Sequence, residues 1–248
     1  MILVLWHIPT MPHSYSVIIP ARNEEKYIRK CVDSLQKAAE KAVVPLEIIV
    51  VINRSTDRTE EYAREMDCIV VVSDEKNLAR IRNAGARAAT GDVLLTVDAD
   101  SMVSLNMFCA IRPVMDSGRY IGGGVAIYPE RWSAGIALTY LFMTYYVLRY
   151  RISAGLFFCL RRDFEAIGGF DDNFVSAEDI DFALRLKGHG KKQGKRFKII
   201  LAASIRTSCR KFDELGDWHL LRHPKEFLTA LRGKDQKLAD KLWYDFEH

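Results

Sequence analysis

The 248-residue sequence lacks the cysteine patterns that hold disulfide-rich or zinc-binding domains together. Its five cysteines are odd in number, widely scattered and without a Cys-x-x-Cys pair. Disulfide frameworks and structural zinc sites both need closely spaced sets of cysteines. We therefore expect neither kind of site, and these thiols suit a reducing, cytoplasmic compartment.

A long uninterrupted apolar segment is missing as well. A helix that crosses a membrane needs roughly 18 or more apolar residues, and the longest candidate, residues 134–148, falls short of that. We predict that this helix is buried or lies at an interface. The apolar start of the chain has no basic segment and no small-residue cleavage site, so it makes a poor signal peptide. We interpret residues 1–13 as a leader of uncertain order.

Acidic residues are absent from one part of the chain. Between Arg185 and Lys211 there are ten lysines or arginines and no acid, although the formal net charge of the whole chain is only +4. Such a segment is expected to meet anions. Nucleic acid is disfavoured because the segment lacks the aromatic residues of a stacking platform. An early glycine-rich phosphate loop is also missing, which argues against nucleotidyl transfer onto a sugar phosphate.

What is present is a regular alternation of short apolar runs and helical patterns. Strands are predicted at residues 14–20, 46–52, 68–72 and 93–97. Helices are predicted between them, the first with Asn23 as its N-cap, and the third with Arg80 and Arg82 on its polar side. This alternation predicts βαβ units and a parallel sheet.

The second half follows a different pattern. Strands are predicted at residues 120–127 and 156–160, and a helix begins at about Ser176. The glycine- and lysine-rich stretch from Gly188 to Lys195 is predicted to be a mobile loop. No internal repeat or low-complexity linker divides the chain.

Two carboxylates, Asp98 and Asp100, follow the fourth predicted strand. Ligands of open α/β sheets bind outside the carboxyl ends of the strands, and alternate residues of an extended chain point the same way. Mg²⁺ and Mn²⁺ bind through one or two carboxylates together with substrate phosphates. The pair therefore predicts a site for a metal and a diphosphate, while an acidic solvated turn is the alternative interpretation.

Six short motifs occur in an order that resembles the family 2 glycosyltransferases with a GT-A fold. They are Val-Ile-Ile-Pro-Ala-Arg-Asn-Glu-Glu (17–25), Ser-Thr-Asp (55–57), Asn-Ala-Gly (83–85), Asp-Ala-Asp (98–100), Gly-Gly-Phe-Asp (168–171) and Glu-Asp (178–179). The resemblance implies an α/β fold with a Rossmann-like, mostly parallel sheet and a mixed extension on the acceptor side. It divides the chain into a nucleotide-binding half (14–101), an acceptor-binding half (102–211) and a C-terminal helical extension (212–248).

The resemblance also implies an activity. Such enzymes move a sugar from a nucleotide diphosphate sugar to a hydroxyl acceptor, which is a saccharide, a lipid-linked molecule or a small molecule. We expect transfer with inversion at the anomeric carbon, assisted by Mn²⁺ or Mg²⁺. The apolar helix and the basic segment raise the further hypothesis of peripheral contact with the inner face of a membrane. The sequence predicts no oligomeric state.

Roles for individual residues come from the same resemblance. Asp179 is expected to be the general base and Glu178 to orient the acceptor or the loop. Asp100 would bind the metal, with Asp98 shared between the metal and the ribose. One of His189, His219 and His223 is a candidate third metal ligand. The nucleotide sugar would be bound by Pro20, Arg22, Glu24, Asn53, Arg80, Asp98, Arg210 and Lys211, with Arg80 either reaching a phosphate or anchoring the acidic loop by an ion pair.

One loop departs from the family pattern. Ile52-Asn53-Arg54 stands where the family usually has Asp-Asp-Gly or Asp-Asn-Gly. Asn53 still offers hydrogen bonds, but the anionic partner for the nucleotide is missing. Two functions therefore stay open, a glycosyltransferase and a non-catalytic relative that binds nucleotide sugars or carbohydrate.

Overall fold

A computed structural model describes residues 13–153, 155–223 and residue 229. The strands are β1 (Tyr15–Ala21), β2 (Leu46–Ile52), β3 (Ile69–Val72), β4 (Val93–Thr96), β5 (Ser101–Val103), β6 (Tyr120–Pro129), β7 (Phe157–Leu160) and β8 (Arg196–Thr207). The helices are α1 (Ile28–Ala42), α2 (Thr59–Glu65), α3 (Leu78–Ala88), α4 (Met107–Asp116), α5 (Ala134–Tyr150), α6 (Arg161–Ala166), α7 (Glu178–Lys192), α8 (Arg210–Leu215) and α9 (His219–Arg222). The predicted leader and most of the predicted C-terminal extension lie outside the described residues.

The strands form one mixed sheet in the order β3-β2-β1-β4-β7-β6-β8-β5. The first four strands are parallel to one another. Strand β7 is antiparallel to both β4 and β6, and β5 is antiparallel to β8, whereas β6 and β8 are parallel. The predicted α/β architecture, mostly parallel and then mixed, is confirmed.

Helices cover both faces of the sheet, which explains why its central strands are apolar at almost every position. Successive side chains of β1 alternate between the two layers. Val17 and Ile19 join the core beneath α1 and α4, whereas Ile18 joins the core beneath α3 and α7. The site described below lies at the edge of this three-layer body.

Helix α3 packs unusually close to the sheet at Gly85. A Cβ atom at this position would lie 2.5 Å from Ile18 Cγ2 and 2.8 Å from Val51 Cγ2. The close approach is possible because the buried side of this helix includes the small residues Ala79 and Gly85. Arg82, three residues before Gly85, lies on the same side of the helix and faces the sheet, and only 5% of the residue is exposed. The prediction of a polar, outward Arg82 was therefore wrong.

Strands β1, β2, β4 and β8 all end at the same edge of the sheet. The strand β8 runs the same way as β4, because two antiparallel steps (β4 to β7 to β6) and one parallel step separate them. The backbone N–H of Ser208 then donates to the carbonyl of Asp100 at 3.2 Å. Segments that are far apart in sequence meet at this edge.

Two local predictions failed for identifiable reasons. Asn23 is not an N-cap, because α1 begins only at Ile28 and Asn23 takes a left-handed turn with φ 51°. Its side-chain oxygen accepts a hydrogen bond from Thr56 N at 2.9 Å instead. The predicted loop from Gly188 to Lys195 continues as helix α7 to Lys192. Gly190 serves close packing there, since an added Cβ would lie 2.7 Å from Ile121.

Helix α5 begins at the capping residue Ser133, whose hydroxyl accepts from Ile136 N. Of the two predicted alternatives, burial is wrong, because several of the large apolar side chains of α5 are exposed, whereas a position at an interface stays a prediction. Within the described part of the chain, every helix is too short or too polar to cross a membrane.

Candidate active site

A cavity of about 350 Å³ lies at the edge where β1, β2, β4 and β8 end. Ten of the eleven residues predicted for the site line it, and Arg80 is the exception. Arg82, Thr207 and Ser208 join them. The ten predicted residues at the cavity are Pro20, Arg22, Glu24, Asn53, Asp98, Asp100, Glu178, Asp179, Arg210 and Lys211.

Arg80 lies instead on the exposed side of α3. Its guanidinium is within 3.2 Å of a Glu75 oxygen and within 3.4 Å of an Asp172 oxygen. Of the two roles predicted for Arg80, the structure shows an ion pair, although the partners are not the acidic loop. Both partners are about half exposed, so the pairing contributes little to stability.

The two aspartates after β4 differ in their surroundings. The Asp98 side chain is 44% exposed, and one of its oxygens accepts from Arg82 Nη2 at 2.9 Å. Asp100 is 16% exposed, accepts from Ser208 Oγ at 2.7 Å and lies 3.6 Å from Arg210 Nε. A carboxylate offers about four lone-pair sites, so each aspartate keeps coordination capacity toward the cavity.

These donors fit a hard divalent cation. Mg²⁺ and Mn²⁺ take oxygen ligands, usually one or two carboxylates with the rest supplied by water and substrate phosphates. In the described part of the chain, no group of three or more histidine, cysteine or acidic side chains is arranged to hold a metal. His189 pairs with Gln193, and the rings of His219 and His223 pack against each other. The structure brings none of these histidines to the cavity lining.

Arg82 connects the acidic loop to helix α7. Its Nη1 donates to Glu178 and its Nη2 to Asp98, and its guanidinium lies 5.4 Å from the centre of the Phe170 ring. A planar guanidinium can hold two carboxylates in fixed positions, which an ammonium cannot do. We missed this residue from the sequence, although it stands one turn before Gly85 on the side of the helix that faces the sheet.

Glu24 and Arg210 form the opposite wall. Two guanidinium nitrogens of Arg210 donate to the two carboxylate oxygens of Glu24, at 2.8 and 2.5 Å. Burial raises the pKa of Glu24 to about 7, with Arg210 opposing the shift and Asp100 and Asp98 adding to it. Arg210 is therefore shared between Glu24 and Asp100, and a bound anion would compete for it.

The start of α7 supplies the remaining acids. Glu178 is buried in its pair with Arg82, whereas Asp179 is only partly buried at the cavity. Burial raises the pKa of Asp179 to about 6, the charge of Glu178 raises it further, and Arg82 opposes both. The Glu178 carboxylate is therefore held in an ion pair, whereas the Asp179 carboxylate is partly exposed at the cavity.

The side chain of Asn53, directly after β2, binds the loop after β3. Its side-chain amide donates to the carbonyls of Ser73 at 2.7 Å and Glu75 at 2.8 Å, and the residue is 3% exposed. An aspartate has no N–H to donate in this place. Asn53 therefore fastens the loop after β3 to the cavity wall.

Comparisons with known proteins show the family of the chain. The family described as glycosyl transferase family 2 matches residues 16–164, more than half of the chain. A 4,4'-diaponeurosporenoate glycosyltransferase of Staphylococcus haemolyticus is 39% identical over 111 residues, covering 42% of this chain and 28% of that protein. Glycosyltransferase AglE of Haloferax volcanii is 24% identical over 188 residues, covering 71% of this chain and 62% of that protein. The first four curated relatives are matched over less than a third of their own length.

Solved structures resemble the whole described body. The mannosyltransferase PcManGT from Pyrobaculum calidifontis, in complex with GDP-Man and Mn²⁺, superposes with a TM-score of 0.64 at 20% identity, covering 96% of this chain and 72% of that one. S. aureus TarS 1–349 in complex with UDP-GlcNAc gives 0.62 at 18% identity, covering 94% and 71%. At these identities the likeness concerns the fold, and it confirms the predicted GT-A fold.

Proposed function

The chain belongs to glycosyl transferase family 2, and on that premise we propose that it moves a glycosyl group from a nucleoside diphosphate sugar to a hydroxyl acceptor. The observation that carries the proposal is that ten of the eleven residues chosen from the sequence line one cavity. Two proteins of similar fold have been solved with GDP-Man and with UDP-GlcNAc. A donor of that chemical class suits the charges described next.

The cations of the cavity would bind the diphosphate. Burial lowers the pKa of Lys211 to about 8, while Asp100 opposes the shift. Burial removes water from the lysine ammonium and disfavours its charged form. An adjacent phosphate favours the charged form again, so a buried lysine is stabilised by binding the anion. Arg210 adds a planar donor pair that matches phosphate oxygens. Pro20, Arg22 and Asn53 would line the base and ribose.

A divalent cation, held by Asp100 and Asp98, would neutralise charge on the departing diphosphate. The cavity lining already carries five carboxylates against four cationic side chains. A diphosphate adds further negative charge, so the lysine and arginines alone do not balance it. This count supports Mn²⁺ or Mg²⁺ as the cofactor, and the oxygen donors of the two aspartates fit either ion.

Asp179 is the residue we assign as general base. Inversion needs a group on the face opposite the leaving diphosphate to take the proton of the attacking hydroxyl. A carboxylate with a pKa of about 6 is ionised at neutral pH and accepts that proton better than an ordinary aspartate. Glu178 is excluded from this role because its carboxylate is buried in the pair with Arg82. It would position the acceptor or the loop.

The competing function is a non-catalytic module that binds nucleotide sugars or carbohydrate. Both functions predict that nucleoside diphosphates raise the melting temperature with Mn²⁺ present, because ligands stabilise the native state by mass action. Only the enzyme releases nucleoside diphosphate from a donor. A panel of UDP- and GDP-sugars, followed for release with and without acceptor alcohols, separates the two. Binding without any release would exclude the transferase.

The rate of transfer should depend on pH through Asp179. Because its pKa is raised from 3.8 to about 6, the base is ionised above pH 6 and protonated below it. We expect kcat/KM for the acceptor, measured at saturating donor, to fall about tenfold per pH unit below about pH 6 and to be flat from there to pH 8, because this quantity reports groups of the protein before the acceptor binds. Glu24→Gln serves as a control, since it removes the other acid with a raised pKa and should leave the position of this limb unchanged. A limb that moves in that variant would assign the titration to Glu24.

Replacing Arg82 by lysine tests the link between the acidic loop and α7. The lysine keeps the charge but bonds only one of Glu178 and Asp98 well. We expect kcat to fall about tenfold and the free energy of unfolding to fall by about 1.5–3 kcal/mol, the usual worth of a hydrogen bond to a charged group. Arg80→Lys, on the exposed side of the same helix, should change neither. Unaltered kcat in Arg82→Lys would contradict the link.

A further inference from the structure

Helix α5 presents its larger apolar side chains to solvent. Residues three or four apart lie on one side of a helix, and five exposed apolar side chains follow that spacing. Their exposed fractions run from 44% to 66%. The opposite side holds the buried Ile136 and Thr139. The exposed set, called the α5 stripe below, comprises Leu138, Leu141, Phe142, Tyr145 and Leu148.

The α5 stripe is comparable in area to the largest apolar patch of a typical monomer. A large apolar side chain covers roughly 150–250 Å², so five that are about half exposed present on the order of 500 Å². The largest patch on a typical monomer is about 300–600 Å² and is often functional. Arg149 is the only charged residue among the 17 of α5. Such a surface calls for an apolar partner.

Charge around the stripe indicates what that partner is. From residue 133 to Arg162 the chain has four arginines and no acidic residue, whereas Arg131, just before α5, is paired with Asp213 and Asp217. Arg149 and Arg151 are exposed at the carboxyl end of α5, and Lys187 joins them by donating to the carbonyl of Tyr150 at 2.7 Å. Apolar side chains next to a group of cations match a surface with acyl chains under anionic headgroups.

We propose that the α5 stripe docks on the surface of an anionic lipid bilayer. The helix would lie in the plane of the membrane, with the stripe among the acyl chains and Arg149, Arg151 and Lys187 at the headgroups. It does not cross the bilayer, since among the described helices none is long and apolar enough for that.

Docking through α5 brings the cavity to the membrane. Strand β6 leads into α5, and Glu130, between them, donates its backbone N–H to the carbonyl of Thr207 at 2.8 Å. Thr207 lines the cavity. A lipid-linked hydroxyl acceptor would therefore reach the site without leaving the bilayer, a consequence that rests on the proposed function, whereas the docking itself does not.

Vesicle sedimentation tests the docking. The full chain is mixed with vesicles of phosphatidylcholine alone or with phosphatidylglycerol added, without donor or metal. We expect binding to the anionic vesicles that weakens at high salt, because salt screens the arginines. Leu141→Gln/Leu148→Gln should bind at least about tenfold more weakly, since two apolar side chains no longer enter the bilayer. Val43→Gln, at an apolar position 81% exposed at the end of α1, should bind as the parent does.

The melting temperatures of both variants are measured first, and both should match the parent because the substituted side chains are exposed. Absence of binding to anionic vesicles at low salt overturns the proposal, as does equal binding by the parent and Leu141→Gln/Leu148→Gln. Concentration-dependent self-association that the same double variant abolishes, with no vesicle binding, would assign the stripe to a second copy of the chain. None of these results depends on sugar transfer.

Discussion

Asp179→Asn lowers the rate of transfer by on the order of a hundredfold or more, the usual contribution of a general base, while donor affinity stays within about twofold. Asparagine keeps the shape of the side chain and can still accept from Ile180 N, as Asp179 does at 2.8 Å. It cannot take a proton from the acceptor hydroxyl. Single-turnover rates with saturating donor, together with calorimetry of donor binding, give the two quantities.

The matched control is Asp181→Asn. Asp181 is the third acid at the start of α7, and its carboxylate pairs with Arg185 at 2.6 Å. Its neutralisation should leave the transfer rate within a few-fold of the parent. Two outcomes would contradict the assignment of the base. One is a rate within a few-fold of the parent for Asp179→Asn with donor binding unchanged, and the other is an equal loss in both variants.

Removal of the Asp100 carboxylate is the second change with a large effect. In Asp100→Ala we expect the dependence of donor affinity on Mn²⁺ to vanish, with a loss of more than roughly a hundredfold in the presence of the metal. Magnesium-like ions rely on only one or two protein carboxylates, so losing one removes much of the anchor. Calorimetry of a nucleoside diphosphate with and without Mn²⁺ measures both affinities.

Asp100→Ala also removes a partner of Arg210, so a control must separate the metal from the arginine. Ser208→Ala deletes the hydroxyl that donates to Asp100 at 2.7 Å but keeps the carboxylate and its distance to Arg210. We expect its donor affinity to keep the full response to Mn²⁺. Parent-like binding of nucleotide and Mn²⁺ by Asp100→Ala would show that the metal is held elsewhere.

The sequence was sufficient for the sheet of the first half and for most of the cavity. Strands buried on both faces leave apolar runs that need no tertiary information. Asp98 and Asp100 stood out because they end such a run. The family resemblance supplied Asp179 and Arg210, whose positions near the cavity no local pattern predicts.

Arg82 shows what local patterns leave out. An arginine in a helix is expected on the solvent side, and its inward position depends on Gly85 letting α3 approach the sheet. The burial is tolerated because two carboxylates from distant segments, Asp98 and Glu178, meet the guanidinium. When the carboxylates that neutralise an arginine come from distant segments, no local sequence pattern indicates that the arginine is buried.

Helix α5 shows a different limit of sequence patterns. Its composition left burial and a position at an interface open, since a helix that is apolar on all sides usually lies in a core. In the structure, α5 packs against the rest of the protein only on the side that carries Ile136 and Thr139. Composition indicates that a helix avoids water, but it does not distinguish a protein core from another apolar surface.

The wall formed by Glu24 and Arg210 joins two segments 186 positions apart. Domains emerge from the ribosome at roughly 5–20 residues per second, amino terminus first, so Glu24 is made about ten seconds or more before its arginine. A nascent chain that stops before β8 carries Glu24 and Asp100 without Ser208 and Arg210 beside them. The cavity therefore cannot be complete until β8, the last strand in the described part of the chain, and the residues that follow it have been made.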